Sequence, residues 1–158
     1  MFYICGNKCD MKTIDEVVKT KFKDEKHRFL ANLKYSSNWI HNLFIDLLEP
    51  YKLSPEQFNV LRILRGNGDW VAMGEVRDLM IDKTPNLTRL VDKLIDKELI
   101  ERMRCTEDRR NVHIRIVDKG YEVLKQIDML SDTHLDWTEN ISDEEARTVS
   151  RILDKMRG

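Results

Sequence analysis

The longest apolar pattern in the chain runs from Phe22 to Leu48. Apolar residues recur there mostly at spacings of three, four and seven, which is the repeat of an amphipathic helix. Pro50 follows where the pattern stops, and proline cannot continue a helical hydrogen-bond ladder. The pattern therefore predicts one long N-terminal helix.

A second helix is predicted to begin within the sequence LSPEQF. Ser54 is a suitable N-cap, Pro55 fits the first helical position, and Gln57 completes a capping box with Ser54. The GNG stretch ends this helix. A short β-prone run, WVAM, and a short helix in GEVRDLMI are predicted to follow.

The next helix has the most regular apolar stripe in the chain. Thr84 is its predicted N-cap, Pro85 is its predicted first residue, and we expect it to run to about Lys97. Its apolar residues follow the spacing i, i+3, i+4, i+7, i+8, which places them on one helix face. They are Leu87, Leu90, Val91, Leu94 and Ile95.

Two runs with strand-like alternation, LIERMRC and NVHIRIV, flank the polar stretch TEDRR. Val112, Ile114 and Ile116 share one face of the second run. The two runs therefore predict a β-hairpin whose tip carries Arg109 and Arg110.

Two further helices complete the chain, one capped by Asp118 and one that begins with a capping box of Ser142 and Glu145. The order of elements predicts a mainly α fold, a winged helix-turn-helix with a two-stranded β-wing between terminal helices. The predicted divisions are an N-terminal extension (1–20), a dimerisation helix (21–51), a DNA-binding winged lobe (52–117) and C-terminal dimerisation helices (118–158).

Composition narrows the class of protein without deciding it. The 158 residues suit one domain, and 35% charged with 41% hydrophobic residues suits a helix-rich globular chain. The formal net charge is −1, but the middle of the chain is mildly basic and the C-terminal part is acidic. No apolar run approaches the roughly 20 residues of a membrane span, and MFYICGNKCDMK lacks the long apolar region typical of a signal peptide, so we expect a cytoplasmic protein.

Histidines and cysteines give no catalytic or metal-binding pattern. His27, His41, His113 and His134 lack metal-ligand spacing, and the chain has no Gly-rich phosphate loop or nucleophile motif. We therefore expect neither an enzyme nor a metal or other cofactor.

The three cysteines, Cys5, Cys9 and Cys105, are an odd number without disulfide spacing. Thiol-based redox sensing through Cys5 and Cys9 is an alternative function, whereas Cys105 is predicted to lie at the base of the wing. The first ten residues do not resemble part of a fold, and a misassigned start codon is one interpretation of them.

The helix predicted over residues 84–97 has the two faces that a DNA-reading helix needs. Its apolar stripe can hold it on the domain, while short polar and cationic side chains opposite can reach bases and phosphates. Asp92 and Asp96 lie on the same face and repel phosphate, so only the first turns should enter the major groove. The candidate contacts are Thr84, Pro85, Asn86, Thr88, Arg89 and Lys93.

The predicted hairpin offers a second candidate contact. Arg109 and Arg110 at its tip could enter the minor groove, where the negative potential attracts arginine. Asp108 could orient one of them in a bidentate pair. The competing interpretations of these two surfaces are a solvated helix face and an ordinary polar turn.

The sequence LTRLVDKLIDKELIERMRCTEDRRNVHIRIVDKGYEVL, preceded by LSPEQFNVLRIL, resembles the MarR family of bacterial transcriptional regulators. The most specific part is the D-x-R wing signature at Asp108 and Arg110. Val117 replaces a capping threonine of the family, so we expect the next helix to use Asp118 and begin about one residue later. Glu98 replaces a common glycine, and this position must either tolerate a left-handed backbone or close the helix differently.

The resemblance implies a homodimer that presents two recognition helices to a palindromic operator, with half-sites about 34 to 36 Å apart. The apolar surface of the terminal helices independently favours a partner chain. The resemblance also implies a ligand-responsive repressor, with Trp39, His41 and Trp70 as candidate contacts for a small-molecule effector. A winged-helix module that binds a protein instead of DNA is the alternative, favoured by the mixed charges of residues 92–98.

Arg110→Ala tests the predicted wing contact. Operator affinity should fall and its salt dependence should flatten, because one arginine no longer displaces counterions from the duplex. A gel shift at two salt concentrations measures both quantities. Unchanged affinity and an unchanged salt slope would remove Arg110 from the interface.

Overall fold

The computed structural model describes residues 12–83, 86–104, 112–134 and 138–158. The helices are α1 (Ile14–Val18), α2 (Glu25–Leu48), α3 (Pro55–Asn67), α4 (Met73–Leu79), α5 (Leu87–Asp96), α6 (Asp118–His134) and α7 (Asp143–Arg157). The strands are β1 (Val71–Ala72), β2 (Ile100–Arg104) and β3 (Val112–Ile116). A single 3₁₀ turn, Glu49–Tyr51, follows α2. This order confirms the predicted mainly α winged-helix fold.

The three strands form one antiparallel sheet in the order β1-β3-β2. Ile116 lies opposite Ile100, and Ile114 lies between Val71 and Arg102. The alternation predicted for β3 is confirmed, since Ile114 and Ile116 are buried whereas Arg115 is exposed. The run WVAM contributes β1, which adds a third strand to the two-stranded wing.

The core of the fold lies between α3, α4, α5 and the sheet. Leu61, Leu64, Val76, Leu94 and Ile114 are all completely buried there. Burial of an aliphatic side chain of this size stabilises a fold by about 1.5–3 kcal/mol. The lobe that carries α5 is therefore held together by its own apolar contacts.

The N-terminal end of α6 contacts Leu99, the residue before β2. A Cβ atom at Gly120 would overlap the Leu99 carbonyl oxygen and come within 2.7 Å of Ile116 Cγ1. Glycine is therefore required at position 120 by the close approach of the two backbones.

Two predicted capping boxes are confirmed. Gln57 N–H donates to Ser54 Oγ at 3.3 Å, and Ser54 N–H donates to Gln57 Oε1 at 3.1 Å. Ser142 and Glu145 make the same reciprocal pair at the start of α7. These bonds satisfy amide donors that have no partner within the helix.

The predicted start of α5 is two residues too early. The helix begins at Leu87, and Leu90 N–H makes the first ladder bond to the Asn86 carbonyl oxygen at 3.2 Å. Asn86 is therefore the N-cap, and Leu87 is the first residue whose side chain is anchored in the core. Thr84 and Pro85 lie outside the described residues.

The predicted shift at the start of α6 is wrong. The N–H groups of Gly120 and Tyr121 donate to the Val117 carbonyl oxygen at 2.8 and 3.1 Å, which makes Val117 the N-cap. This capping needs only a carbonyl, and Val117 is held in place because its own N–H donates to the Leu99 carbonyl oxygen. Asp118 is the first helical residue, and its carboxylate interacts favourably with the positive end of the helix dipole.

The short helix α1 lies within the predicted N-terminal extension and packs on the beginning of α2. Ile14 is buried, and Asp15 pairs with Arg28 at 3.4 Å. The Arg28 guanidinium also lies 5.7 Å from the centre of the Phe22 ring. The long helix itself starts at Glu25, three residues later than the apolar pattern at Phe22 suggested.

The C-terminal end of α5 confirms the left-handed alternative for Glu98. Its φ is +58°, its N–H donates to the Ile95 carbonyl oxygen at 2.8 Å, and Leu99 N–H donates to the Leu94 carbonyl oxygen at 3.0 Å. These two bonds form a Schellman motif, in which glycine usually occupies the left-handed position. Lys119 Nζ donates to Glu98 Oε2 at 2.7 Å, and this bond lowers the pKa of the Glu98 carboxyl.

Glu98→Gly should stabilise the protein, because glycine adopts the left-handed backbone without crowding its own side chain. The lost ion pair with Lys119 is exposed and offsets little of this gain. We expect the thermal midpoint to rise by about 2–4 °C in an unfolding scan followed by circular dichroism.

Glu98→Ala is the matched control, since it keeps the strained backbone and also removes the ion pair. It should lower the midpoint at neutral pH. Because the folded-state pKa of Glu98 is lowered, the ionised carboxylate stabilises the protein at a pH above its unfolded-state pKa. This stabilisation is lost as the pH falls through the folded-state pKa, so the difference between Glu98→Ala and wild type should shrink in acid. Equal destabilisation by both variants would show that the ion pair outweighs the backbone strain.

Candidate nucleic-acid interface

The apolar face of helix α5 packs against the core of the lobe, as the sequence pattern predicted. Leu87, Val91 and Leu94 are at most 1% exposed and face the core that α3 and β2 share with α5. The four described candidate contacts on the opposite face are all exposed. They are Asn86, Thr88, Arg89 and Lys93.

An open cleft of about 370 Å³ lies along the exposed face of α5. Its lining includes Asn86, Arg89 and Lys93 together with Glu56 and Asp82. The cations can bind phosphate oxygens or guanine, and the amide can bind adenine. The carboxylates repel phosphate but can accept a hydrogen bond from cytosine. The cleft therefore brings cationic, amide and carboxylate groups together, which are kinds of group that can contact phosphates and base edges.

An ion pair connects α5 to the wing. Arg102 of β2 donates to Asp92 of α5 at 3.0 Å. Asp92 is thus not the free, phosphate-repelling carboxylate that its place on the helix predicted, because the pair offsets part of its charge. The same contact links two regular elements through exposed side chains and adds modestly to the apolar packing between α5 and β2.

Sequence reasoning missed Arg102, although strand alternation contains a signal for it. Arg102 lies two positions after Ile100 and therefore on the strand face that turns toward the core. Arg102 nevertheless stays exposed to solvent, and the facing helix offers Asp92 as its anionic partner.

The other side of the sheet carries a second cluster of contacts. The Arg115 guanidinium lies 4.6 Å from the centre of the Trp70 ring and also pairs with Glu101. Trp70 is thus engaged on the sheet, while the other two predicted effector contacts, Trp39 and His41, lie on α2. The effector role of these three residues stays a prediction.

Several candidate residues lie outside the described part of the chain. They are Cys5, Cys9 and Cys105, and the wing-tip residues Asp108, Arg109 and Arg110. The ladder between β2 and β3 pairs Arg104 with Val112, so the described wing ends directly beside the predicted tip.

The described residues contain neither a membrane-spanning helix nor a metal-binding cluster. None of the helices within those ranges combines the length and the apolarity that a membrane span requires. The same ranges contain no group of three or more histidine, cysteine and acidic side chains arranged to hold a metal ion.

The family model for transcriptional regulator SarA/Rot matches residues 42–127. That range exceeds half of the chain and contains α3, α4, α5 and the whole sheet. The chain belongs to this family of MarR-type transcriptional regulators. The match confirms the resemblance predicted from the wing signature and the α5 sequence, and the family consists of regulators and not of enzymes.

Curated relatives of this MarR-type regulator agree with the family assignment. The HTH-type transcriptional regulator YsmB of Bacillus subtilis is 29% identical over 113 residues, which cover 71% of this chain and 77% of YsmB. The multiple antibiotic resistance protein MarR of Escherichia coli is 27% identical over 116 residues, which cover 72% of this chain and 80% of MarR.

Two solved structures of similar proteins contain DNA. The transcriptional repressor CouR, bound to a 23-mer DNA duplex, has a TM-score of 0.73 and 25% identity, with 88% of this chain and 99% of CouR covered. A cysteine-to-serine mutant of E. coli MarR complexed with operator DNA has a TM-score of 0.68 and 24% identity, with 92% and 98% covered. The latter likeness shows the shared fold.

Proposed function

We propose that this MarR-type regulator is a ligand-responsive repressor that binds a palindromic operator as a homodimer. Each subunit inserts the N-terminal half of α5 into the major groove and places the wing tip, with Asp108, Arg109 and Arg110, against the minor groove. The observation that carries this proposal is the arrangement of α5, whose exposed face carries Arg89 and Lys93 opposite a buried apolar face. The structure of CouR bound to a DNA duplex supports duplex DNA as the partner.

The charges of the exposed face favour duplex DNA over a protein partner. Arg89 and Lys93 lie one turn apart on a helix, a spacing that lets both reach the same groove or its flanking phosphates. The pairing of Asp92 with Arg102 removes part of the repulsion that a phosphate backbone meets.

The terminal helices supply the proposed dimer interface. Leu30, Trp39 and Ile40 on α2 are between 41% and 53% exposed, and Val149, Ile152 and Met156 on α7 are between 45% and 53% exposed. Apolar patches of this kind on a single chain mark association surfaces. A two-fold dimer built on them would match the two-fold symmetry of a palindromic site.

The proposed effector acts at the same helices. A small molecule bound near Trp39 and His41 of α2, with Trp70 as the third predicted contact, would change the spacing of the two α5 helices in the dimer. DNA binding would weaken because both half-sites could no longer be contacted together.

Lys93→Ala tests whether the exposed face of α5 contacts DNA. A duplex selected from a randomised library, or one from upstream of the gene itself, serves as the probe. Affinity should fall across sequences, and the slope of log affinity against log salt should decrease by about one, because one phosphate contact is lost. Fluorescence anisotropy at several salt concentrations measures both.

Arg151→Ala is the matched control, because Arg151 is an exposed cation on α7, remote in sequence from the winged lobe. It should leave affinity and slope unchanged. Equal effects of the two substitutions would exclude α5 as the reading helix. A wild-type protein that binds no duplex at any salt concentration would favour the protein-interaction module.

Ile152→Glu tests the dimer. A carboxylate in the centre of the α7 apolar face should convert the protein to a monomer in sedimentation equilibrium, because its desolvation opposes association. Ser150→Glu places the same charge on the polar face of α7 and should leave the dimer intact. A monomeric wild type would contradict the proposed assembly.

A further inference from the structure

One ammonium group joins the C-terminal end of α5 to the junction between α2 and α3. Lys97 Nζ donates to the Lys52 carbonyl oxygen and, at 3.2 Å, to Gln57 Oε1. Lys97 is the C-cap residue of α5, and Lys52 follows the 3₁₀ turn that ends α2. The contact therefore connects two parts of the chain that are 45 residues apart.

Gln57 gives this contact a rigid acceptor. It is 3% exposed, and it is the one buried polar side chain found within the described ranges. Its Oε1 atom accepts both the Ser54 N–H of the capping box and the Lys97 ammonium. The amide oxygen cannot move without breaking the cap of α3.

The Lys52 carbonyl is fixed by the end of α2. Lys52 has a left-handed backbone with φ of +54°, and its N–H donates to the Glu49 carbonyl oxygen at 2.8 Å. Leu53 N–H donates to the carbonyl oxygen of Leu48, and both leucine side chains are buried. The position of this acceptor follows the position of α2.

Lys97 itself has little freedom. The Schellman motif around Glu98 fixes its backbone, and partial burial lowers the pKa of the Lys97 ammonium, with further contributions from Lys93 and Lys52. A partly desolvated cation needs hydrogen-bond acceptors. The Lys52 carbonyl and Gln57 supply them, so the ammonium has two fixed partners outside α5.

We infer that Lys97 is a positioning residue, which fixes the direction of α5 relative to α2 and thereby sets operator affinity without contacting DNA. The inference rests on the proposed function. Helix α5 has 10 residues and is therefore about 15 Å long. A rotation of about 10° at its C-terminal end would move its first turn by about 2.5 Å, which is more than a hydrogen bond to a base tolerates.

Lys97→Met tests this inference, because methionine keeps most of the apolar stem and removes the ammonium. Operator affinity should fall about tenfold while the salt slope stays that of wild type, since no phosphate contact is lost. Lys93→Met is the matched control on the same helix, and it should lower both affinity and slope. A slope reduced by about one in Lys97→Met would show a phosphate contact and overturn the inference, as would unchanged affinity.

Hydrogen exchange without DNA separates this inference from the proposed function. Lys97→Met should accelerate exchange of the Leu90 amide, which makes the first ladder bond of α5, more than exchange of amides in α6. Gln57→Glu serves where Lys97→Met does not fold, because the carboxylate keeps both acceptor positions and attracts the ammonium more strongly. It should slow Leu90 exchange, and exchange that is unchanged or faster would contradict the role of Lys97.

Discussion

The structure depends on the burial of one side of a ten-residue helix. A helix as short as α5 is not stable alone in water. Leu87, Val91 and Leu94 supply the missing stability by packing into the core shared by α3 and the sheet. The same packing determines which side chains of α5 remain exposed. The residues that are available for DNA are therefore selected by the packing of the opposite, apolar face.

Polar contacts restrict the orientation of α5, which apolar packing holds on the lobe. Apolar packing resists separation of α5 from the lobe but tolerates small rotations, whereas hydrogen bonds and ion pairs lose strength quickly with distance and angle. Asp92 is joined to β2 near the middle of the helix, and Lys97 is joined to the α2–α3 junction at its end. The two contacts lie on different sides of α5 and together oppose rotation about its axis.

Sequence periodicity was sufficient for the elements with strong apolar stripes. The back of α5, the alternation of β3 and the capping boxes at Ser54 and Ser142 all depend on residues within a few positions of each other, and all were predicted correctly. Helix α1 has only five residues, too few for a periodic signal. Its stability comes from Ile14 and from Arg28 of α2, a contact that local patterns do not contain.

The remaining errors and omissions also have a tertiary origin. The start of α6 is set by the bond from Val117 N–H to the Leu99 carbonyl oxygen, so the nature of the Val117 side chain does not matter. Arg102 and Lys97 were missed because their partners belong to other elements. The sequence shows that charged residues lie on and near α5. Whether such a residue lines the cleft or pairs with another element depends on the fold.

Gly120 determines how closely α6 can approach the sheet. The backbone of α6 touches Leu99, the residue before β2, at this position with no side chain between them. Farther along the helix, Leu124 and Ile127 are buried in the core of the lobe. Helix α6 is therefore attached to the lobe over about two turns, and a displacement of this part of α6 would have to carry the lobe with it.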